Sequence, residues 1–174
     1  RSLTGNGVRK TISIIKNRHI PSLSIHEIPS GEVVEDWIIP DEWNVESAFI
    51  KDLKGNTIID FKDNNLHLLG YSQPIDKKVT LEELNCHLYS LPNYPDAIPY
   101  VTSYYNSNWG FCISDNHRKQ LKDKNYYVYI NSALTSGSLT YSDLIIPGKK
   151  TEEIFFSTYI CHPSMANNEL SGPG

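Results

Sequence analysis

Short apolar runs separated by turn residues fill the middle of the chain and restrict its fold more than any other sequence feature. Runs of this length, rich in β-branched and aromatic residues, are typical of strands. The first four are Val33–Ile39, Val45–Asp52, Thr57–Lys62 and Leu66–Leu69. The intervening Leu53–Asn56 segment contains Gly55, which is free to adopt a positive φ, and this predicts a hairpin between the second and third runs. This part of the chain is therefore predicted to be a β-rich domain.

The same pattern of short apolar runs and turns continues to about residue 135, with short helices between the strands. Thr80 and Glu83 have the spacing of a capping box, which predicts a short helix there. Ser114 predicts the start of a second helical turn. The remaining predicted strands are Pro74–Val79, which we expect at a sheet edge, Tyr100–Tyr105, Trp109–Ile113 and Tyr126–Asn131.

A helix and longer strands are predicted on both sides of this β-rich region. Apolar residues recur at three- and four-residue spacing over Thr4–Arg18, which predicts a helix with Thr4 as its N-cap. Leu23–Ile28 is expected to be a strand. Ser138–Ile146 and Glu153–Cys161 predict two long strands joined by a hairpin-like turn.

These elements predict a chain of the α+β, mainly β class. Residues 1–31 and 136–174 would form a partial α/β core, and residues 32–135 would be a β-rich domain of sandwich or jelly-roll type inserted into it. Such an insertion is tolerated when its entry and exit points lie close together.

Composition excludes several classes of function. A net charge of −4 over 174 residues provides no positive field for nucleic acid or an anionic membrane. No stretch approaches the ~20 apolar residues of a membrane span. Three cysteines without metal-site spacing are typical of reduced thiols in a cytoplasmic protein. Arg1 is an unusual first residue, so we expect that residues upstream of it have been removed, with a secretory signal as one candidate among them.

The stretch from Glu153 to Gly172 is the strongest candidate for chemistry. It reads as a buried strand that ends at Cys161-His162-Pro163 and continues into a loop of small and amide residues. A histidine that follows the carboxyl end of a core strand lies where open α/β sheets place ligands and metals. From spacing alone, His162 is either a metal ligand or an ordinary buried or capping histidine.

The terminal loop resembles the first metal loop of the dinuclear zinc exopeptidases. The sequence CHP followed by ANNELSG is similar to the strand-borne histidine and the A-N-D-x-x-S-G loop of those enzymes. A closer resemblance is to a bacterial aminopeptidase-like family of unknown function, which has a β-rich domain inserted into the peptidase fold and a winged-helix domain beyond it. Further motifs that carry this resemblance are Gly7-Val8-Arg9-Lys10, Pro29-Ser30-Gly31, Trp37, Pro40, Tyr104-Tyr105 and Trp109-Gly110-Phe111-Cys112.

This resemblance implies that His162 binds zinc and that residue 168 is the position that bridges two zinc ions. The chain has Asn168 where the family has aspartate, and a neutral amide binds metal only weakly. We therefore expect one metal ion or none. The resemblance also implies that the general base and the other ligands lie further along the chain, so this segment alone should not hydrolyse peptides.

A second candidate site is aromatic. Tyr104, Tyr105 and Trp109 lie close together in sequence among asparagines, and aromatic faces beside amides can line a substrate pocket or stack on sugars. Ordinary packing within a sheet is the alternative.

Two functions therefore remain open. The chain is either part of a zinc-dependent aminopeptidase-like hydrolase that acts on a peptide or a small amide-containing substrate, or a saccharide- or peptide-binding module on an exopeptidase frame that has lost its metal. Exposed sheet edges also predict a homodimer.

Overall fold

The structure is a computed structural model, and it describes residues 2–162. Its helices and strands are, in chain order, α1 (Asn6–Arg18), β1 (Ser24–Pro29), β2 (Val33–Val34), β3 (Trp37–Ile38), β4 (Glu42–Asp52), β5 (Thr57–Asp60), a 3-10 helix (Asn65–His67), β6 (Ile75–Thr80), α2 (Leu81–Cys86), β7 (Leu88–Tyr89), β8 (Phe111–Cys112), α3 (Asp115–Arg118), β9 (Asn125–Thr135) and β10 (Ser138–Asp143). The predicted α+β, mainly β class is confirmed.

The chain forms two compact units. Unit 1 consists of Arg1–Glu42 with Thr135–Gly174, and unit 2 is Trp43–Leu134. The prediction that residues 32–135 are inserted into a peptidase core stays a prediction.

Helix α1 provides the apolar core of unit 1. Val8 and Ile12 lie one turn apart on its buried face and pack with Leu23, and Ile160 packs against the same cluster. Thr4 was predicted as the N-cap, but the cap is Gly5, whose φ of 100° favours glycine. Thr4 is instead buried, and its Oγ1 donates to the carbonyl oxygen of Asp41 at 2.9 Å.

The strand that follows α1 pairs with β10, the last strand of the described residues. β1 and β10 are antiparallel, with Ser24 opposite Asp143 and Pro29 opposite Ser138. Both predicted strands are confirmed, although β10 ends at Asp143 rather than at Ile146.

The predicted strand Glu153–Cys161 is wrong. These residues have no regular secondary structure, and Ile154, Phe155 and Phe156 are 85–89% exposed. A strand requires a neighbour for its backbone hydrogen bonds, and no strand among residues 2–162 pairs with this segment. Apolar sequence alone therefore did not determine its conformation.

An arginine joins the ends of several unit 1 elements. Nη1 of Arg9 lies 3.1 Å from Oε2 of Glu42, and its Nη2 also donates to Oε1 of that carboxylate. Nε of Arg9 donates to Oε1 of Glu27 at 2.9 Å, and the backbone N–H of Ser138 donates to Oε1 of Glu42 at 2.8 Å. Glu42 is 8% exposed, so these bonds replace most of its hydration. We call this group, with Gly137 beside it, the Arg9 clamp.

Gly137→Ala should destabilise the chain by about 1–3 kcal/mol, because the added methyl group has no room. A Cβ at residue 137 would overlap the carboxylate of Glu42, which Arg9 and Ser138 hold in place. Urea unfolding measures the effect. Gly148→Ala is the matched control, since a Cβ there meets nothing within 4 Å. Equal free energies of unfolding of the two variants would contradict the statement that the Arg9 clamp holds the Glu42 carboxylate beside residue 137.

Unit 2 is built on a four-stranded sheet in the order β5-β4-β9-β6. The predicted hairpin is confirmed, because β4 and β5 are antiparallel and Gly55 has φ 92°. β6 is an edge strand, as predicted. Buried and partly exposed residues alternate along β9 between Asn125 and Ile130, so one face of the sheet is core and the other is more open.

The predicted short helices are also present. Oγ1 of Thr80 accepts from the backbone N–H of Glu83 at 3.1 Å, and Oγ of Ser114 accepts from that of His117 at 3.2 Å. The second half of the capping box is different from the prediction, since the Glu83 carboxylate pairs with Nζ of Lys77 at 2.5 Å.

Three strand predictions need correction. Val33–Ile39 is two short strands joined at Glu35, whose φ is 55°. Leu66–Leu69 begins within a 3-10 helix, because the side chain of Asn64 accepts from the backbone N–H of Leu66. Tyr100–Tyr105 is a loop with one isolated bridge. In each case a local turn competes with extended pairing.

No helix within the described residues is long and apolar enough to cross a membrane.

Candidate functional site

The loop that carries the predicted aromatic site is held by backbone hydrogen bonds to residues 69–73. The N–H of Gly70 donates to the carbonyl oxygen of Val101 at 2.9 Å, and the N–H of Ser103 donates back to that of Gly70 at 3.0 Å. Further along, the N–H of Gln73 donates to the carbonyl oxygen of Asn108 at 2.9 Å. Residues 101–108 are therefore held on a fixed support.

A buried serine fixes this support to the sheet. Ser72 is fully buried, and its carbonyl oxygen accepts from Nε1 of Trp43 at 2.9 Å and from Oγ of Ser132 at 2.7 Å. Its own Oγ donates to the carbonyl oxygen of Leu69 at 2.7 Å and lies 3.2 Å from the amide nitrogen of Gly110. Since Trp43 and Ser132 belong to β4 and β9, the loop is tied to the two central strands.

A row of aromatic rings runs from the core of unit 2 to its surface. The Trp43 ring stacks on that of Tyr71 with centroids 5.7 Å apart, and the Tyr71 ring contacts that of Tyr104 at 5.5 Å. Tyr71 is 3% exposed and Tyr104 is 42% exposed, so only the outer end of the row meets solvent. No sequence pattern indicated the inner two rings, because their role follows from contacts made after folding.

Both tyrosines of this row have left-handed backbone conformations. Tyr71 has φ 63° and Tyr104 has φ 45°, values that cost a non-glycine residue about 1–2 kcal/mol. Such conformations persist where the surroundings fix them, and they are enriched at binding sites. At Tyr104 the surroundings are a turn, closed by the N–H of Asn106 donating to the carbonyl oxygen of Ser103 at 3.0 Å, and the contact of its ring with that of Tyr71. The adjacent Tyr105 is 60% exposed.

Trp109 is the most packed of the three predicted aromatic residues. Its ring stacks on that of His87 with centroids 3.7 Å apart, and Nδ1 of His87 donates to the Trp109 carbonyl oxygen at 2.9 Å. Nζ of Lys77 lies 5.8 Å from the centroid of the Trp109 ring. One face of the ring is thus covered by His87. The prediction that Tyr104, Tyr105 and Trp109 contact a substrate stays a prediction.

Three further histidines and the buried cysteine are surrounded by packing or hydrogen-bonding partners, or are partly buried, within their own units. Nδ1 of His67 donates to the carbonyl oxygen of Cys112 at 2.8 Å, and the ring of His26 stacks on Tyr141. Burial lowers the pKa of His117, with a smaller contribution from His67. Burial raises the pKa of the Cys112 thiol to about 12, so this thiol is not activated as a nucleophile.

His162 is the last residue of the described part of the chain. It is half-buried, and its ring meets that of Tyr159 edge to face with centroids 5.8 Å apart. Asn168 lies outside the described residues. Within residues 2–162 no group of three histidine, cysteine, aspartate or glutamate side chains could hold a metal ion. Zinc sites use about three or four protein ligands, so the described residues do not by themselves fit a zinc ion.

Comparison with known proteins identifies the class of the chain. Residues 42–133 match the family model described as a domain of unknown function, DUF2172, and this segment coincides with unit 2 to within one residue. The match covers more than half of the chain, which therefore belongs to the DUF2172 family.

A curated protein and a solved structure, both from Clostridium acetobutylicum, are similar to the chain over nearly its whole length. One is provisionally named a polysaccharide biosynthesis protein with an aminopeptidase-like domain, and it is 52% identical over 172 residues, 99% of this chain. The other is a crystal structure of a protein provisionally described as a peptidase, with a TM-score of 0.94 and 52% identity over 99% of this chain. The chain spans only 39% of the first relative and 40% of the second.

Proposed function

We propose that this chain is part of a zinc-dependent aminopeptidase-like hydrolase, with His162 as one zinc ligand. The observation that carries the proposal is the 52% identity over 99% of the chain to a protein named for an aminopeptidase-like domain. The match spans 172 of the 174 residues, and the terminal loop that begins at His162 resembles a zinc exopeptidase metal loop. The substrate proposed is a peptide or another small molecule with an amide bond.

We propose that the other ligands of this zinc site come from outside the described residues. His162 offers a neutral imidazole nitrogen, a donor that zinc accepts readily, whereas Asn168 offers a weak amide oxygen. When bound, zinc would supply Lewis acidity toward the scissile amide. The part of the site present here contributes one ligand, so the 174-residue chain alone is proposed to be inactive.

Zinc content of a protein of the relatives' length tests this assignment. The wild type should bind zinc, and His162→Ala should lower its zinc affinity at least tenfold, because loss of even a residue that only orients a ligand typically costs about 10–100-fold. His67→Ala is the matched control, because His67 bonds the Cys112 carbonyl oxygen and should leave zinc affinity unchanged. Equal zinc affinity of the His162→Ala variant and the wild type would contradict the assignment.

The Asn168→Asp variant distinguishes the two candidate functions, a zinc-dependent hydrolase and a binding module whose peptidase-like fold no longer binds metal. Zinc and hydrolysis present before this change support the hydrolase. Zinc that binds only after the change supports the second candidate, a saccharide- or peptide-binding module. That candidate is favoured by the fixed loop with exposed Tyr104 and Tyr105, and by the relative named for polysaccharide biosynthesis.

Trp109→Ala should weaken substrate binding in a protein of the relatives' length, with KM raised about fivefold or more and the fold retained. The reason is that its ring, packed on His87, holds the end of the aromatic loop in place. Steady-state kinetics measures KM, and thermal unfolding checks the fold. Trp109→Phe keeps an aromatic ring and is the control. Unchanged KM in the alanine variant would count against a role for this loop.

A further inference from the structure

The most exposed large apolar side chains among the described residues lie on one segment of unit 1. Ile145, Ile146, Ile154, Phe155 and Phe156 are 81–89% exposed. Contiguous apolar side chains seldom remain in water, and an exposed group of them marks a surface that packs against another part of a protein. We call residues 145–159 the apolar segment.

One end of the apolar segment is attached to the core around α1. Ile160, the residue that follows it, packs against the cluster of Val8, Ile12 and Leu23. These three are the buried members of that cluster, so the core on this side of α1 is small. The apolar segment is therefore joined to a core that it does not itself cover.

The sheet beside this core is also incomplete in the part of the chain that the structure describes. It consists there of two strands, β1 and β10, and all six residues of β1 are exposed or half-buried. Two strands are marginally stable in water, and a sheet needs further strands or a covering layer to be stable. Unit 1 therefore lacks apolar cover on its sheet as well as on the apolar segment.

The rest of a longer protein is the partner that fits this double deficit. The two relatives match 99% of this chain, but the chain spans only 39% and 40% of them, so the larger part of each relative has no counterpart in these residues. The layers of one domain share one hydrophobic core. A second copy of this chain would bring another incomplete core, whereas the rest of the same polypeptide can complete the first.

We propose that the apolar segment is the surface on which the rest of a longer protein packs, and that this contact completes the core of unit 1. The proposal rests on the one above that this chain is part of a longer protein, but it uses neither zinc nor His162. A longer protein that binds no zinc would therefore contradict the hydrolase and leave this contact standing.

Hydroxyl-radical footprinting of zinc-free protein tests the contact, because the oxidation rate of a side chain reports its access to water. In the 174-residue chain, Phe155 and Phe156 should be oxidised rapidly. In a protein of the relatives' length their oxidation should be about fivefold slower or more, since the centre of a packed contact excludes water. Phe111 is the matched control, because it is fully buried and should react slowly in both proteins. Equal oxidation of Phe155 in the two proteins would overturn the proposal.

Two other results would identify a different partner. Sedimentation velocity gives the oligomeric state of each sample. Protection of Phe155 in the longer protein that disappears on dilution to a monomer would overturn the proposal in favour of a second copy. Protection that is already present in the monomeric 174-residue chain would also overturn it, because the chain would then cover the segment itself.

Phe155→Ala provides a second, independent measurement. The substitution should lower the midpoint temperature of thermal unfolding of the longer protein by about 2 °C or more, because it removes a ring from a packed contact. The same substitution in the 174-residue chain is the control, where the ring is 88% exposed and the midpoint should move by less than about 1 °C. Equal shifts in the two proteins would overturn the proposal.

Discussion

Arg9→Ala should lower the free energy of unfolding by about 2–4 kcal/mol, because it leaves the Glu42 carboxylate buried without its counter-charge. The side chain of Glu42 is only 10% exposed in its pair with Arg9. Breaking a buried pair by removing one partner costs more than the pair itself contributes. Urea unfolding at pH 7 measures the difference between the variant and the wild type.

The free energy of unfolding of the Arg9→Ala variant should also fall less than that of the wild type when the pH is lowered. The hydrogen bond from Arg9 is the main reason that the pKa of Glu27 is below its usual value. A carboxyl group with a lowered pKa stabilises the folded state above its unfolded pKa, and this stability is lost as the pH falls through the folded value. The difference in free energy of unfolding between the wild type and the variant should therefore become smaller below about pH 4.

Lys77→Ala is the control for a pair on the surface. Lys77 and Glu83 form an ion pair whose side chains are 46% and 41% exposed, so its loss should cost less than about 1 kcal/mol. If Arg9→Ala costs no more than Lys77→Ala, the Arg9 clamp does not stabilise unit 1.

Phe111→Ala should cost about 3–5 kcal/mol, the largest effect that we expect in unit 2. Phe111 is fully buried, and its N–H donates to the carbonyl oxygen of His87 at 2.9 Å. Removing the ring leaves a cavity in the core of unit 2, at a residue whose backbone bridges that of Leu68. Urea unfolding measures the loss, and the slope of the transition checks that the variant remains two-state.

Phe155→Ala is the matched control, with the same substitution at a residue that is 88% exposed. At a concentration low enough to keep the chain monomeric, its stability should be within about 0.5 kcal/mol of the wild type. Comparable losses in the two variants would mean that the buried and exposed assignments are wrong.

The elements that were predicted well are those whose signals are local. The Gly55 hairpin, the Thr80 cap and the alternation along β9 depend on a few neighbouring residues, and the structure has all three. Leu66–Leu69 and Tyr100–Tyr105 failed because local turns compete with strand formation there: Asn64 caps a 3-10 helix, and the N–H of Asn106 closes a turn on the carbonyl oxygen of Ser103. Glu153–Cys161 failed for a different reason, since strand pairing is not a local property.

The candidate site was predictable only in part. The aromatic cluster was visible in the sequence, but the inner ring Tyr71 was not, because no sequence rule places a tyrosine in the left-handed region. The support from Ser72 was also hidden, since a buried serine has no signal of its own. His162 was found through a resemblance, and its role as a ligand remains a proposal.

Hydrolysis by a zinc-loaded protein of the relatives' length is the most direct test of the central proposal. It should release the amino-terminal residue from at least one member of a mixture of unblocked peptides. The same peptides with acetylated amino termini should not be cleaved, and His162→Ala should abolish release while the His67→Ala control retains it. Release that persists in the His162→Ala variant, or no release from any peptide by protein with zinc bound, would contradict the proposal.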